Sequence, residues 1–174
     1  EWAVGHGFEP KNIVLAGDSA GGGLVISTLL KARDSAAAMP GAGICLSPWI
    51  DMECTGASMS ANANLDVFIG YNGLLSRAQS YLGEADPRNP LVSALYADLK
   101  GLPPLLIHVG SDEALLDDST RLAALATDFG VDVTLKIWDN MVHVWQAFAS
   151  VLPEGQESIE EIGEFIRRKL DWNT

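Results

Sequence analysis

Ile13-Val14-Leu15-Ala16-Gly17-Asp18-Ser19-Ala20-Gly21-Gly22-Gly23 is the stretch on which the reading of this chain turns. A short apolar run meets Gly17-x-Ser19-x-Gly21, and a long apolar-periodic segment follows. A serine on a sharp strand-to-helix turn sits in strained backbone and needs small neighbours. Gly17 and Gly21, two residues either side of Ser19, remove the side chains expected to collide there. The hydroxyl then projects above the sheet, and the Ala20 N–H, at the new helix N-terminus, can face a developing oxyanion. The five-residue pattern fits a glycine-rich turn with an incidental serine equally well, so the rest of the chain has to arbitrate.

Working outward, Ile13–Ala16 reads as a buried strand. Leu24, Ile26, Leu29 and Leu30 build a helix that closes before Pro40, and Gly41–Ser47 is a second apolar strand. Strand, helix, strand implies a parallel pair with a right-handed crossover. Upstream, Glu1–Gly7 reads as the end of a helix. Downstream, residues 49–99 change character: Asp51–Asn64 is rich in Ser, Ala, Asn and Gly, and Leu74–Leu82 reads as a helix. This stretch is expected to be an excursion over the C-terminal edge of the sheet, with Trp49, Val67, Phe68 and Tyr81 giving it apolar content to bury. Leu105–Gly110 is a third strand, Leu115–Phe129 an amphipathic helix, Val131–Trp138 a fourth strand and Ser158–Leu170 a last helix with Ile159, Ile162, Ile166 and Leu170 on one face. The expected fold class is α/β, a mostly parallel sheet flanked by helices, in a single domain over residues 1–174.

The composition narrows the class of function. The chain has 174 residues, 48% of them hydrophobic and 20% charged, as in ordinary globular domains. A net charge of −12 makes nucleic acid or an anionic membrane surface a poor partner. No apolar run is long enough to cross a membrane. The two cysteines, Cys45 in a strand and Cys54 in a loop, form no disulfide framework and no metal-ligand spacing, which fits a reducing, cytoplasmic setting. No metal or cofactor is expected.

Ser19 needs a base, and the base needs an orienting acid. Of the three histidines, His6 precedes the turn in a loop and His108 lies inside a strand, as structural histidines do. His143 follows the last strand, on the edge where the serine turn also opens. The acid should leave a strand's C-terminal end too, and Asp112 does so just after Val109-Gly110. Glu113 is expected to point elsewhere. Asp117 and Asp118 fall in a first helical turn, where acids serve the dipole, and Asp139 reads as a turn residue. The order Ser19, Asp112, His143 is one of the known arrangements of a serine triad.

Gly17-Asp18-Ser19-Ala20-Gly21-Gly22, Ser47-Pro48-Trp49, Gly110-Ser111-Asp112-Glu113-Ala114-Leu115-Leu116-Asp117-Asp118-Ser119 and Met141-Val142-His143-Val144-Trp145 together resemble the hormone-sensitive-lipase-like carboxylesterases, a family of α/β-hydrolases. The resemblance covers almost the whole chain in the same order. It implies Ser19 as nucleophile, Asp112 as acid, His143 as base and the Ala20 N–H as an oxyanion donor. It implies hydrolysis of esters with short to medium acyl chains, without a cofactor. Glu113 after Asp112, in place of the family's usual proline, is a departure. The family's His-Gly-Gly-Gly segment, a further source of oxyanion donors, has no counterpart here, so the chain is expected to correspond to the C-terminal half of such an esterase. Trp49, Phe68, Val144 and Trp145 are expected either to line the substrate pocket or simply to pack in the core. The resemblance also implies a homodimer through the last strand, Thr134–Trp138. The alternatives are a non-catalytic small-molecule binder on the same fold, as in the plant gibberellin receptors, and a fragment inert without the remaining half.

Overall fold

The four apolar runs form strands β1 (Val14–Asp18), β2 (Ala42–Leu46), β3 (Leu105–Gly110) and β4 (Val133–Trp138) in a computed structural model that describes residues 2–170. They make one parallel sheet in the order β1-β2-β3-β4. Parallel neighbours need a crossover. A short α1 (Trp2–Gly5) precedes the sheet; α2 (Ala20–Asp34) then joins β1 to β2. The long β2–β3 connection carries α3 (Ser58–Ala61) and α4 (Tyr71–Leu82), and α5 (Leu116–Asp128) joins β3 to β4. Because all four strands run the same way, Ser19, Ser47, Ser111 and the loop carrying His143 gather at one edge of the sheet.

The sheet is covered on both faces, which is why its central strands read as unbroken apolar runs. Strand side chains alternate. Cys45, Leu105 and Ile107 pack with Val25, Ile26, Leu29 and Leu30 of α2 and with Leu122, Ala123 and Ala126 of α5. Ala42, Ile44 and Leu106 pack instead on Phe165 of α6 (Pro153–Lys169), with Ile162 and Ile166 beside it. A third cluster, formed by Trp49, Met52, Cys54, Met59, Leu74, Ala78, Ala114 and Leu115, ties the β2–β3 connection to the start of α5.

Two helices differ from the periodic reading. Helix α4 starts at Tyr71 rather than Leu74, because its first turn is exposed and carries no apolar stripe. Helix α6 starts at Pro153 rather than Ser158: a proline at the first helical position lacks an N–H the helix would not have used. Its buried face centres on Phe165, while Ile159 is 44% exposed. Among the described residues, no helix is long and apolar enough to cross a membrane.

Candidate active site

Ser19 has φ 50° and ψ −120°, a conformation that L-residues avoid. Its N–H donates to the Leu46 carbonyl at 2.8 Å, and its own carbonyl accepts from Trp49 N–H at 2.9 Å, so the turn is held from both sides by the end of β2. The glycines are there for close approach. A Cβ on Gly17 would overlap the backbone of Gly21, and one on Gly22 would lie 2.7 Å from Pro48 Cβ. A Cβ on Gly21 would meet only Asp18 Oδ1, at 3.7 Å. Gly17, not Gly21, is therefore the position at which the turn excludes a side chain, and Gly22 is needed for packing against the β2 loop. The Ala20 N–H stands at the first position of α2, where no intrahelical acceptor exists.

His143 is buried, and its Nδ1 lies 3.0 Å from Glu113 Oε2. The other oxygen, Oε1, accepts from the Gly110 N–H at 2.6 Å and from Ser47 Oγ at 2.7 Å. The Gly110 N–H, the Ser47 hydroxyl and His143 Nδ1 thus converge on a carboxyl group with no solvent exposure, an arrangement that suits an imidazole carrying a proton on Nδ1. The carboxylate placed beside His143 is therefore that of Glu113, not that of Asp112, the acid expected from the sequence. Asp112 Oδ1 accepts from the Ser111 hydroxyl at 2.8 Å, and Asp112 reaches the base loop only through its backbone, whose N–H donates to the Met141 carbonyl at 3.2 Å. The reason is the turn after β3. Residues 110–113 reverse the chain, Glu113 N–H facing the Gly110 carbonyl at 3.4 Å, and the longer side chain folds back over the strand end. A side chain on residue 110 would overlap the Met141 carbonyl, so the glycine opens that path.

His108 is a structural residue, as its strand position predicts. Its Nδ1 pairs with Ser158 Oγ at 2.9 Å, and burial pushes the imidazole down to about 4 against the pull of Glu161. Cys45 and Cys54 are buried and burial raises both thiols to about 12, which leaves them inert as nucleophiles. Among the described residues no cluster of His, Cys, Asp and Glu has the make-up of a metal site.

Of the four side chains expected at the substrate pocket, Trp49 borders a cavity of ≈ 200 Å³ whose lining includes Ala20, Gly23, Met52, Arg77 and Tyr81. Trp145 does not line it: it is fully buried, packs on Trp138 at 5.6 Å between ring centres with the planes tilted by 50°, and donates to the Glu154 carbonyl. Trp145 is the core residue that seats α6. Phe68 is 53% exposed and stacks on Phe148 at the surface, and Val144 contributes its backbone to the site. A larger open hollow of ≈ 730 Å³ between α1, α2 and β1 includes none of Ser19, Glu113 and His143.

The loop after β2 is itself held by Asp118, another residue whose role sequence reasoning assigned to the helix dipole. Asp118 Oδ2 accepts from the N–H groups of Ile50 and Asp51, at 2.9 and 3.1 Å, and Oδ1 has no partner. Burial raises its carboxyl from 3.8 to about 7, the two backbone donors opposing the shift. For neighbouring Asp51, burial pushes the other way from its hydrogen bonds. The Thr55 hydroxyl and N–H, the Glu53 N–H and Arg121 prevail and hold it below the usual range. Between about 4 and about 7 the folded chain keeps the Asp118 proton that the unfolded chain has lost, so stability falls as pH rises through that window. Asp118→Asn keeps a carbonyl for both N–H groups and buries no charge. Thermal unfolding should show it more stable than the parent by about 2 kcal/mol near pH 8, with the gap narrowing below pH 7 and closing near pH 4.

A family model described as an alpha/beta hydrolase fold matches residues 1–147, and the chain belongs to that family. Its relatives carry the names acetyl-hydrolase and esterase. An acetyl-hydrolase of Streptomyces hygroscopicus is 44% identical over 162 residues, 93% of this chain and 54% of that protein. An esterase of Acinetobacter venetianus is 36% identical over 161 residues, 92% of this chain and 53% of that protein. A crystal structure of an esterase from the bacterial hormone-sensitive lipase family matches with a TM-score of 0.96 at 51% identity, over 97% of this chain and 57% of that one. The esterase EstE5, in a crystal soaked with p-nitrophenyl butyrate, matches with a TM-score of 0.95 at 49% identity, over 98% of this chain and 57% of that one. The chain spans about half the length of the curated relatives it matches.

Proposed function

We propose that the protein is a serine hydrolase of carboxylic esters, with Ser19 as nucleophile, His143 as general base and Glu113 as the acid that orients it. The observation that carries this reading is the strained Ser19 at the end of β1, on the sheet edge that also holds the buried Glu113–His143 pair. Strain of about 1–3 kcal/mol at one serine persists only where the surroundings enforce it, and such strain concentrates at reacting groups.

In the first step His143 takes the Ser19 hydroxyl proton as the oxygen attacks the ester carbonyl. The carbonyl oxygen gains charge and leans on the Ala20 N–H. His143 then returns the proton to the departing alcohol, leaving an acyl-serine. Water, deprotonated by His143, attacks the acyl carbon, and the serine leaves with the proton. Glu113 fixes the Nδ1–H tautomer and stabilises the imidazolium formed in each half. The small cavity beside Ala20, and relatives named acetyl-hydrolase and esterase, support acyl chains of short to medium length. Among the described residues β4 is paired on one side only, which supports a dimer joined along that strand, to be read by size exclusion.

The test is reaction of the protein with a fluorophosphonate, read by intact mass, alongside hydrolysis of p-nitrophenyl acetate, butyrate and laurate. One added phosphonyl group, absent in Ser19→Ala, and faster turnover of the acetate and butyrate are expected. A folded protein that neither labels nor hydrolyses any of the three would overturn the assignment.

A further inference from the structure

Ser47 lies at the end of β2, takes no part in the reaction scheme above and is nonetheless fully buried at the centre of the site's hydrogen bonds. Its hydroxyl donates its one proton to Glu113 Oε1 at 2.7 Å and accepts from the Val144 N–H at 3.2 Å. A single oxygen therefore contacts both the acid and the residue that follows the base. Each partner is costly to hold. Glu113 is a fully buried carboxylate whose remaining lone pairs must be satisfied. Val144 is β-branched with φ 52°, which is a steric outlier for such a side chain. Ser47 is itself at φ 47° and is anchored by its N–H, which donates to the His108 carbonyl at 2.7 Å.

We propose that Ser47 is a positioning residue for the acid–base pair, an inference that rests on the serine-hydrolase reading. Its hydroxyl turns the Glu113 carboxylate so that Oε2 faces Nδ1, and it holds Val144 in the left-handed turn that aims His143 across the sheet edge. Without that hydroxyl, Oε1 keeps the Gly110 N–H alone among the described residues' donors, the carboxylate gains freedom to rotate, and the strained turn at Val144 loses the hydrogen bond from its N–H to Ser47.

The variant Ser47→Gly removes the hydroxyl while accepting the left-handed backbone. With p-nitrophenyl acetate, kcat is expected to fall on the order of tenfold to a hundredfold with KM within about twofold. Tm should fall by a few degrees, because the bonds lost to Glu113 and the Val144 N–H outweigh the relief of the left-handed backbone, and the protein should stay folded at the assay temperature. The downfield proton NMR signal of the His143 Nδ1–H bond should shift or broaden, which a purely structural role would not cause. Parent-like kcat with an unmoved signal overturns the proposal, as does a loss of activity that only follows a loss of folded protein. Should Ser47→Gly not fold, Ser47→Cys carries the test, because its thiol is a weaker donor of similar shape; a loss of about tenfold supports the proposal, and parent-like kcat overturns it. Glu113→Gln, measured in parallel, separates the two levels. If it too keeps parent-like activity, the acid assignment has failed; if it is inactive while Ser47→Gly is neutral, only the role of Ser47 has failed.

Discussion

Replacing Ser19 by glycine is expected to cut kcat/KM for p-nitrophenyl esters by about 10⁵- to 10⁶-fold, the scale on which removing a triad nucleophile acts, and at the same time to make the fold more stable. The two effects share one cause. At φ 50° and ψ −120° the backbone of residue 19 occupies a region open chiefly to glycine. The serine is held there by Leu46 and Trp49, whose backbone groups bond to it on either side. Glycine adopts the conformation without the penalty of about 1–3 kcal/mol, and gives back about 0.5–1 kcal/mol because its unfolded chain is freer. A net gain of about 1 kcal/mol corresponds to a rise in Tm of about 2–4 °C for a domain of this size. Ser19→Ala supplies the comparison: it should be as inactive but no more stable than the parent, since its Cβ keeps the strain. If Ser19→Gly melts at or below Ser19→Ala, the backbone of residue 19 is not strained and the argument from strain to function loses its footing.

The serine turn was legible because its constraints are local. Backbone strain, the glycine at position 17 and the strand-to-helix change of period all lie within a few residues of Ser19. The parallel sheet was legible for a similar reason, since runs such as Ala42–Leu46 are apolar without alternation only when both faces are covered. His143 could be singled out as the candidate base by elimination among three histidines. The acid could not be settled that way. Asp112 and Glu113 are adjacent, equally charged, and both follow a strand, so spacing does not separate them. What separates them is the reversal of the chain at residues 110–113 and the reach of the extra methylene, and these depend on Met141 packing against Gly110 from another loop. Gly110 was the one signal in the sequence, a strand-end position where a backbone comes too close for a side chain. Ser47 and Asp118 were illegible for a related reason: each bonds groups 66 or more positions away in the chain. Trp145 takes the core reading of the two that the sequence left open, since a large aromatic two residues after the proposed base suits a pocket and a core equally well until α6 is seen to rest on it.

The acid is where two neighbouring substitutions should behave most differently. Glu113→Gln is expected to lower kcat/KM by about 10⁴-fold, and Asp112→Asn to leave it within about threefold. The carboxylate of Glu113 meets three donors, from Gly110, Ser47 and His143, and no acceptor. A glutamine offers one oxygen and one amide group. If its oxygen stays on Gly110 and Ser47, the amide faces Nδ1 and is satisfied only when the imidazole proton moves to Nε2. That tautomer has no lone pair to take the serine proton, so the nucleophile is present but cannot be activated. If the amide flips, the Gly110 N–H confronts it within a buried site, and the cost falls on stability instead. Either way KM should change little, because no contact to substrate is lost, and fluorophosphonate labelling should slow in step with kcat. Asp112 presents its carboxylate to Ser111 on the half-buried side of the loop, and asparagine keeps a carbonyl for that hydroxyl. A large loss in Asp112→Asn with Glu113→Gln near the parent would mean that the acid in the working enzyme is the residue nearer the strand, and that the 110–113 turn rearranges when substrate is bound.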